Sequence, residues 1–312
     1  MSGPPVVVAV SGGADSLALA LATLCAAGPD RVIAVVVDHR LQPGSDRRCA
    51  ATADQLREIG IRDVRVCPVA VRGPGGPEAA ARRARYDALS AVSAAAAPDR
   101  ADGAPVLLGH TRDDQAETVL LGLARGSGPR SVAGMAPWRS PWGRPLLGVR
   151  RADTESYCTA AGLSWWNDPH NVDPAFTRVR LRREVLPLLE EVLGGGVGAA
   201  LARTATLMAD DLAALDELAD RLRATATGPE VTLAVAPLRA APTAVRRRTL
   251  RGWATGAGSG PLTAALIVAL DRLTGPVRDG TAVRLPGALD AVRSGAVLRV
   301  VPVHGPAGGV AG

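Results

Sequence analysis

The chain has 312 residues, which is enough for two domains at the usual domain size of about 150 residues. Hydrophobic residues make up 47% and charged residues 21%, a composition typical of globular proteins and not of disordered ones. All 36 basic residues are arginine, because the sequence contains no lysine, and the net charge is +6. This composition excludes a phosphate loop of the Gly-x-x-x-x-Gly-Lys type and any lysine Schiff base, whereas arginine suits contact with phosphate.

Short apolar runs alternate with helix-compatible stretches through the first half of the chain. The apolar runs predict strands at residues 6–10, 32–37, 64–69 and 106–108. The other stretches predict helices at residues 16–27, 50–60, 78–97 and 113–125. Strands that are mostly apolar and alternate with helices indicate a parallel sheet covered on both faces. The sequence therefore predicts a doubly wound parallel α/β fold, whose ligands bind at the carboxyl ends of the strands.

The second half of the chain begins with a segment rich in Gly, Pro, Arg and Trp at residues 126–151, which predicts a functional or mobile loop. Further helices are predicted at residues 181–193, 199–224, 242–255 and 262–273, and short strands at 231–235, 282–285, 289–293 and 297–301. The shift in composition indicates a second, smaller α+β domain. We place the domains at residues 1–193 and 194–312 and expect disorder from residue 305 onward.

The cysteine pattern bears on the cellular compartment. The four cysteines are Cys25, Cys49, Cys67 and Cys158. No two of them have C-x-x-C spacing, so the sequence gives little support to a zinc or redox motif and favours a reducing compartment. The N-terminal apolar run is too short for a signal peptide, and no apolar run approaches the about 18 residues of a membrane span. We therefore expect a cytoplasmic protein without a membrane partner.

The strongest motif directly follows the first predicted strand. It reads S-G-G-A-D-S and comprises Ser11, Gly12, Gly13, Ala14, Asp15 and Ser16. Two glycines let the backbone approach an anion closely, and a helix beginning near Ser16 points its free N–H groups and positive dipole end at that anion. Asp15 would repel a phosphate, so a bound cation is its expected partner. The alternative is a strand-to-helix turn with glycines for geometry and a polar cap.

A second motif follows the fourth predicted strand and reads G-H-T-R-D-D-Q-A-E-T from Gly109 to Thr118. Asp114 and Glu117 are three residues apart, which places both carboxylates on one face of the predicted helix. His110 lies just before that helix. The alternative is structural, because Thr111 with Asp114 fits a capping box.

Both motifs resemble those of the N-type ATP pyrophosphatases, and in particular the tRNA(Ile)-lysidine synthetase family. Further segments match this family: V-D-H-R-L from Val37, A-R-R-A-R-Y ending at Tyr86, L-A-R-G-S-G around Arg125 and Ser127, W-x-x-D-P-x-N-x-D from Trp165, and F-T-R-V-R-L-R from Phe176. Two positions depart from the family pattern. Val179 stands where the family has asparagine, and His170 stands where it has serine or threonine.

The resemblance implies an ATP- and Mg²⁺-dependent reaction at the wobble cytidine of tRNA(Ile) with a CAU anticodon. ATP adenylates the cytidine at C2, and the amine of free L-lysine then displaces AMP. The implied catalytic residues are Asp15, His110, Asp114, Glu117 and Arg125, with Asp15 and Asp114 as metal ligands. The nucleotide would contact the S-G-G-A-D-S loop, Asp38 and His39. The RNA would contact Arg178, Arg182, Arg247 and Arg251, and a homodimer is compatible with the sequence.

Several of these residues have a structural alternative. Asp38 and His39 could cap a strand end. Arg125 could neutralise charge that develops at the α-phosphoryl group of ATP, or it could instead stabilise the carboxyl end of a helix. The arginines before Tyr86 could form a solvated helix face. For the whole chain, the alternatives are another tRNA-modifying enzyme such as a thiolase, a GMP or NAD synthetase, or a nucleotide-binding module without catalysis.

Overall fold

The computed structural model describes residues 3–74, 76–126, 128–168, 171–228 and 231–303. Predictions for Ser127, His170 and the tail from residue 305 therefore lie outside the described residues. Contacts within the chain divide it into two compact units, Met1–Ala209 and Asp210–Gly312. This division lies inside a long helix, whereas the sequence placed a boundary at the glycines that precede that helix.

The first unit begins with strands and helices in strict alternation. These elements are β1 (Val6–Val10), α1 (Ala14–Ala27), β2 (Val32–Asp38), α2 (Ser45–Glu58), β3 (Asp63–Pro68), α3 (Gly76–Ala96), β4 (Val106–Leu107) and α4 (Arg112–Ala124). All of them were predicted, and only the start of α2 differs from its predicted position by more than two residues. The apolar runs and the glycine-containing turns were therefore sufficient signals for this half of the fold.

The chain continues with shorter elements. They are α5 (Pro129–Val132), β5 (Trp138–Arg139), β6 (Trp142–Gly143), α6 (Arg151–Ala160), α7 (Thr177–Arg180), a π-helical segment (Leu181–Val185), α8 (Leu186–Val192) and α9 (Val197–Ala226). The strands of the unit form one sheet in the order β3-β2-β1-β4-β6-β5, in which β5 is antiparallel to β6 and the other pairs are parallel.

Helices cover both faces of this sheet, because neighbouring residues of a strand point to opposite sides. Val8 and Val36 pack into a core that includes Leu17 of α1. Val7 and Val35 pack into the opposite core with Leu89 of α3. The predicted doubly wound α/β fold is therefore confirmed.

The strand order also locates a crevice. Strands β2 and β3 lie on one side of β1, and β4 lies on the other. The strand order thus reverses between β1 and β4, and such reversals in open α/β sheets are where ligands bind. The two motifs singled out in the sequence leave the sheet at the carboxyl ends of these two strands.

Residues 126–151 differ from the predicted loop. They contain α5 and the hairpin of β5 and β6, and β6 extends the main sheet beside β4. Strands of two residues show no alternation of polar and apolar residues, so the sequence pattern could not reveal them. The side chain of Gln115 holds this segment to α4, because its Nε2 donates to the Met135 carbonyl at 3.0 Å and its Oε1 accepts from the Met135 N–H at 2.8 Å.

The second unit has its own sheet and its own core. The unit begins inside α9, at Asp210. Its further elements are β7 (Leu233–Ala234), α10 (Val235–Ala240), α11 (Thr243–Gly256), α12 (Ala264–Arg272), β8 (Ala282–Leu285), β9 (Leu289–Ser294) and β10 (Val297–Pro302). The strands form an antiparallel sheet in the order β7-β10-β9-β8. Leu250, Trp253 and Leu298 are buried in one core. The predicted α+β class is confirmed, but the strand predicted at 231–235 is shorter because α10 begins at Val235.

We searched the helices for membrane spans. Within the described ranges, no single helix combines the length and the apolar composition that crossing a membrane would require, although one bent pair, Thr177–Val192 with Val197–Ala226, meets the test jointly.

Close packing at Gly109 brings the two motif loops together. A Cβ atom at this position would lie 3.0 Å from the carbonyl oxygen of Asp15 and 3.1 Å from Cα of Ser16. We expect Gly109→Ala to lower the free energy of unfolding by about 1–3 kcal/mol, as overpacked positions do. Urea denaturation of the whole chain measures this. The matched control is Gly148→Ala, because a Cβ there meets nothing within 4 Å; equal effects of both variants would contradict the prediction.

Candidate active site

The S-G-G-A-D-S loop connects β1 to α1 and leaves the amino end of α1 open. Gly12 has a φ of +81°, and a Cβ there would lie 2.8 Å from Oγ1 of Thr52, so both its conformation and its surroundings favour glycine. Gly13 is the N-cap residue and provides no side-chain cap. The first N–H groups of a helix have no partner within the helix. In α1 the Ser16 N–H donates to the Gly13 carbonyl at 3.1 Å, so the N–H groups of Ala14 and Asp15 are the ones that remain available to an anion.

The two serines of this loop fix its shape. Oγ of Ser16 donates to the Gly13 carbonyl at 2.8 Å and accepts from the Ser11 N–H at 3.0 Å. Their hydroxyl groups also lie 3.2 Å apart. The Ser16 hydroxyl thus acts within the loop, whereas the hydroxyl of Ser11, which is exposed, faces the cavity described below.

Asp15, in the first turn of α1, is joined to α6. Nε of Arg151 donates to Asp15 Oδ2 at 3.0 Å, and the hydroxyl of Thr154 donates to Asp15 Oδ1. The other end of the same guanidinium donates from its Nη2 to Oδ1 of Asp114 at 3.0 Å. The guanidinium of Arg151 therefore bridges Asp15 and Asp114. Burial lowers the pKa of Arg151, but Asp114 and Asp15 outweigh burial and raise it overall.

Asp114 caps the start of α4 and also pairs with two arginines. Its Oδ2 accepts from the Thr111 N–H at 2.9 Å and lies 3.1 Å from the Thr111 hydroxyl, so the capping box is present. Its Oδ1 faces Arg151 and also lies 3.3 Å from Nη2 of Arg182. Burial raises the pKa of Asp114, yet Arg151, the Thr111 N–H and Arg182 lower it by more. The carboxylate is therefore ionised at neutral pH.

Glu117 is fully buried, with no exposed side-chain surface. Nε of Arg182 donates to its Oε1 at 2.6 Å, and Nη1 of Arg178 lies 3.6 Å from its Oε2. Burial raises the pKa of Glu117, and the hydrogen bond from Arg182 opposes that shift only in part. Arg182 lies in the π-helical segment, and such segments are frequent at functional sites.

Two histidines and one arginine line the same region. Burial lowers the pKa of His110 to about 4, so this side chain is neutral at physiological pH. Burial and then the charge of Arg85 lower the pKa of His39. Arg85 itself is largely buried, whereas Arg82 and Arg83 are exposed. The interpretation of this helix face as solvated is therefore wrong for Arg85.

The side chain of Asp38 stabilises the turn that follows β2. It is 4% exposed, and its Oδ1 accepts from the Arg40 N–H at 2.9 Å. This hydrogen bond supports the turn after β2, where Arg40 has a φ of 52°. The strand-end cap that the sequence allowed is therefore present.

These elements enclose one cavity of about 1110 Å³ within the first unit. It is bounded by the S-G-G-A-D-S loop, the end of β2, α2, the end of β4, and residues 164–168 with 171–172. Its polar wall includes Asp15, Asp38, His39, Arg85, His110, Asp114, Arg151 and Arg182. Drug-sized ligands occupy cavities of about 300–1000 Å³, so this cavity has room for a nucleotide and part of a second substrate.

Several predicted residues lie elsewhere. Arg125 follows Asp114 by 125 − 114 = 11 residues along α4, a rise of about 16 Å, and is absent from the described cavity wall. Arg178 is half-exposed and contacts Glu117 and Thr118 outside the cavity. In the second unit, Nε of Arg247 donates to Asp271 Oδ2 at 2.8 Å, and Nη1 of Arg251 donates to the Leu262 carbonyl at 3.1 Å.

Arg151 is the important residue that the sequence did not single out. One signal could have pointed to it: Arg151 begins a helix, where a cation opposes the helix dipole and so needs an acidic partner. Arg85 lay within the A-R-R-A-R-Y match, but the match assigned no role to its side chain. Trp166 was part of a family match, and the structure shows its ring 4.5 Å from the guanidinium carbon of Arg48.

The buried pair of Glu117 and Arg182 generates a stability prediction. We expect Arg182→Gln to lower the free energy of unfolding at pH 7 by about 3–5 kcal/mol, because it leaves a buried carboxylate uncompensated. The deficit shrinks as the pH falls, because protonation neutralises Glu117, whose pKa is already raised. Urea denaturation at several pH values measures this. Arg180→Gln is the control, because Arg180 is 60% exposed and pairs with Glu184, four residues later; a pH-independent deficit in Arg182→Gln would contradict the explanation.

Comparisons with known proteins agree with this geometry. A PP-loop domain family matches residues 2–189, and a TilS substrate binding domain family matches residues 233–298. The U34-tRNA thiolase NcsA from Methanococcus maripaludis, solved with its [4Fe-4S] cluster, has a TM-score of 0.52 at 18% identity. That match covers 67% of this chain and 73% of the thiolase, and shows a shared fold.

Three relatives carry the name tRNA(Ile)-lysidine synthase. The protein of Rhodococcus erythropolis is 55% identical, covering 86% of this chain and 79% of its own. That of Nocardia farcinica is 53% identical, covering 93% and 88%, and that of Mycobacterium tuberculosis is 49% identical, covering 95% and 91%. With the PP-loop match over more than half of its residues, this chain belongs to the tRNA(Ile)-lysidine synthase family.

Proposed function

We propose that the chain joins L-lysine to the wobble cytidine of tRNA(Ile) with a CAU anticodon, consuming ATP and releasing AMP and pyrophosphate. The observation that carries this proposal is the cavity wall, where an open helix end suited to phosphate faces the carboxylate of Asp114. A reaction that combines a nucleotide anion with a cationic amino acid needs both environments in one cavity.

The loop and the first turn of α1 receive the pyrophosphate part of ATP in this proposal. Their N–H groups and the dipole of α1 stabilise the negative charge that the leaving pyrophosphate acquires. The cytidine must leave its stack to reach the cavity, as bases do in enzymes that modify them. Neutral His110 offers a hydrogen-bonding group beside Asp114 without adding charge.

Mg²⁺ fits the carboxylates of Asp15 and Asp114 by donor type. Mg²⁺ in nucleotide sites is bound through one or two carboxylates together with substrate phosphates. The described residues contain no group of three or more acidic, His or Cys side chains that could hold a metal alone, so ATP phosphates must supply further ligands. The ion would offset charge on the leaving pyrophosphate. Arg151 compensates both carboxylates until then.

We also propose the remaining partners. Arg178, Arg247 and Arg251 contact the tRNA backbone, and Arg182 orients Asp114 and Glu117 for the lysine amine. Arg125, distant from the cavity, is assigned to the RNA and not to the α-phosphate. We place the chain in the cytoplasm and propose a homodimer, which light scattering of the whole chain tests.

A thiolase is the main alternative, and the cysteines argue against it. Burial raises the pKa of the Cys49, Cys67 and Cys158 thiols. Reactive cysteines need the opposite shift, because the thiolate is the nucleophile. These three thiols therefore lack the environment of a sulfur-transfer site. Cys25 is exposed on α1 and does not line the described cavity.

Labelled L-lysine incorporation tests the proposed function. We expect incorporation into tRNA(Ile) with a CAU anticodon in the presence of ATP and Mg²⁺, and none into tRNA(Met) with the same anticodon. Asp114→Asn should reduce the rate at least about 100-fold, as loss of a charged group in a catalytic site does. Asp54→Asn, at an exposed position on α2, should not. Pyrophosphate release with another acceptor, and no lysine incorporation, would refute the proposal.

Mn²⁺ binding tests the relation of Arg151 to the metal. We expect Arg151→Gln to bind Mn²⁺ about tenfold more tightly without nucleotide, because two carboxylates lose their resident cation; a factor of ten corresponds to about 1.4 kcal/mol. Electron paramagnetic resonance of free Mn²⁺ measures this. Arg150→Gln is the adjacent control, because Arg150 is exposed and pairs with Asp153. Unchanged or weaker binding by Arg151→Gln would show that Arg151 does not stand in for the ion.

A further inference from the structure

Arg85 on α3 is a partly buried cation, and the described part of the chain shows no acidic partner for it. Its side chain lines the cavity, and its Nε is buried without a hydrogen-bond partner among the described residues. Of the other partly buried arginines on this wall, Arg151 and Arg182 pair with carboxylates, and Arg48 donates to the Pro43 carbonyl and to Gln42 Oε1. Burying a charge is costly unless it is paired and hydrogen-bonded. The position of Arg85 therefore calls for an anion from outside the chain.

The side chain of Arg85 is held in place by aromatic packing. Its guanidinium carbon lies 5.7 Å from the centre of the Tyr86 ring, and that of Arg82 lies 5.0 Å from the same ring. The Tyr86 ring in turn packs against Trp142 of β6, with centroids 4.6 Å apart. These contacts pack the middle of α3 against β6, so they restrict the positions that the Arg85 side chain can take before a ligand binds.

Two further polar groups beside Arg85 lack partners. Nδ1 of His39 and Nδ1 of His110 are both buried without a hydrogen bond among the residues described. His39 follows β2 and His110 follows β4, and these strands flank β1 in the sheet. The charge of Arg85 influences both histidines. All three groups therefore lie near the carboxyl end of β1, where the S-G-G-A-D-S loop begins.

We propose that Arg85 binds a non-bridging oxygen of the α-phosphate of ATP, with His39 and His110 as neutral hydrogen-bonding neighbours. This inference rests on the proposed function and deepens it. The loop holds the β- and γ-phosphates, so the α-phosphate lies next to the loop, at the end of β1. The role of neutralising this phosphate, which the sequence suggested for Arg125, thus passes to Arg85.

The reaction explains why a cation is needed there. The cytidine oxygen forms a bond to the α-phosphorus while the bond from that phosphorus to the bridging oxygen breaks, and pyrophosphate leaves with the electron pair. Negative charge spreads over the oxygens of the transferred group during this step. A fixed guanidinium stabilises that charge without reorganising.

Nucleotide affinities measured without RNA or lysine test the inference. A fluorescent ATP analogue is displaced by ATP, AMP or adenosine from the wild type, Arg85→Gln, Arg85→Lys and Arg83→Gln. We expect Arg85→Gln to weaken AMP binding about 10–100-fold, the usual loss for a hydrogen bond between charged groups, with adenosine unchanged. Arg85→Lys should recover part of the loss, and Arg83→Gln, at an exposed position on the same helix, should match the wild type.

The outcomes separate this inference from the proposed function. AMP affinity within twofold of wild type in Arg85→Gln overturns the inference, as does an equal loss for adenosine. A loss of tRNA affinity with unchanged nucleotide affinity also overturns it and assigns Arg85 to an RNA phosphate. Failure of the wild type to incorporate lysine rejects the proposed function alone, because the adenosine and AMP comparison needs no acceptor. Circular dichroism confirms that each variant is folded.

Discussion

The guanidinium of Arg151 is the contact on which the candidate site depends. It joins Asp15 in α1 to Asp114 in α4 from its own position at the start of α6. These residues are far apart in sequence, and two carboxylates brought to one point would repel each other. The single planar cation between them allows three helix ends to meet at the reversal point of the sheet. A lysine could not span both acids with the same geometry.

Around this contact, the cavity wall combines ion pairs with polar atoms that have no partner in the described part of the chain. Asp114 meets Arg151 and Arg182, and the fully buried Glu117 pairs with Arg182. His39, His110 and Arg85 line the same cavity as the open end of α1. This combination suits a nucleotide anion and an amine that must reach the same cytidine carbon. The same fold could serve other reactions, so it is this distribution of side chains that argues for the chemistry.

The sequence was informative where local pattern decides structure. The strands β1 to β4, their helices and the turn at Gly12 all follow from apolar runs and glycines. Asp15, His110 and Asp114 were found because they lie in compact motifs beside strand ends. Arg151 was missed because its importance comes from tertiary contacts: it lies 136 residues beyond Asp15 in the chain. Arg125 is absent from the described cavity wall, because sequence proximity to a motif does not account for the rise of a helix.

The π-helical segment between α7 and α8 has a consequence for insertions and deletions. A π turn holds one residue more than an α turn of similar span, and it persists here with Arg182 directed at Glu117. Removal of one residue from Leu181–Val185 would let the segment relax to α geometry with nearly the same rotation between the flanking helices, but it would change the backbone that directs Arg182 at Glu117. The ion pair of Arg182 with the buried carboxylate of Glu117 thus constrains the number of residues in this segment. Length variation among related chains should therefore be absent here and concentrated in surface turns.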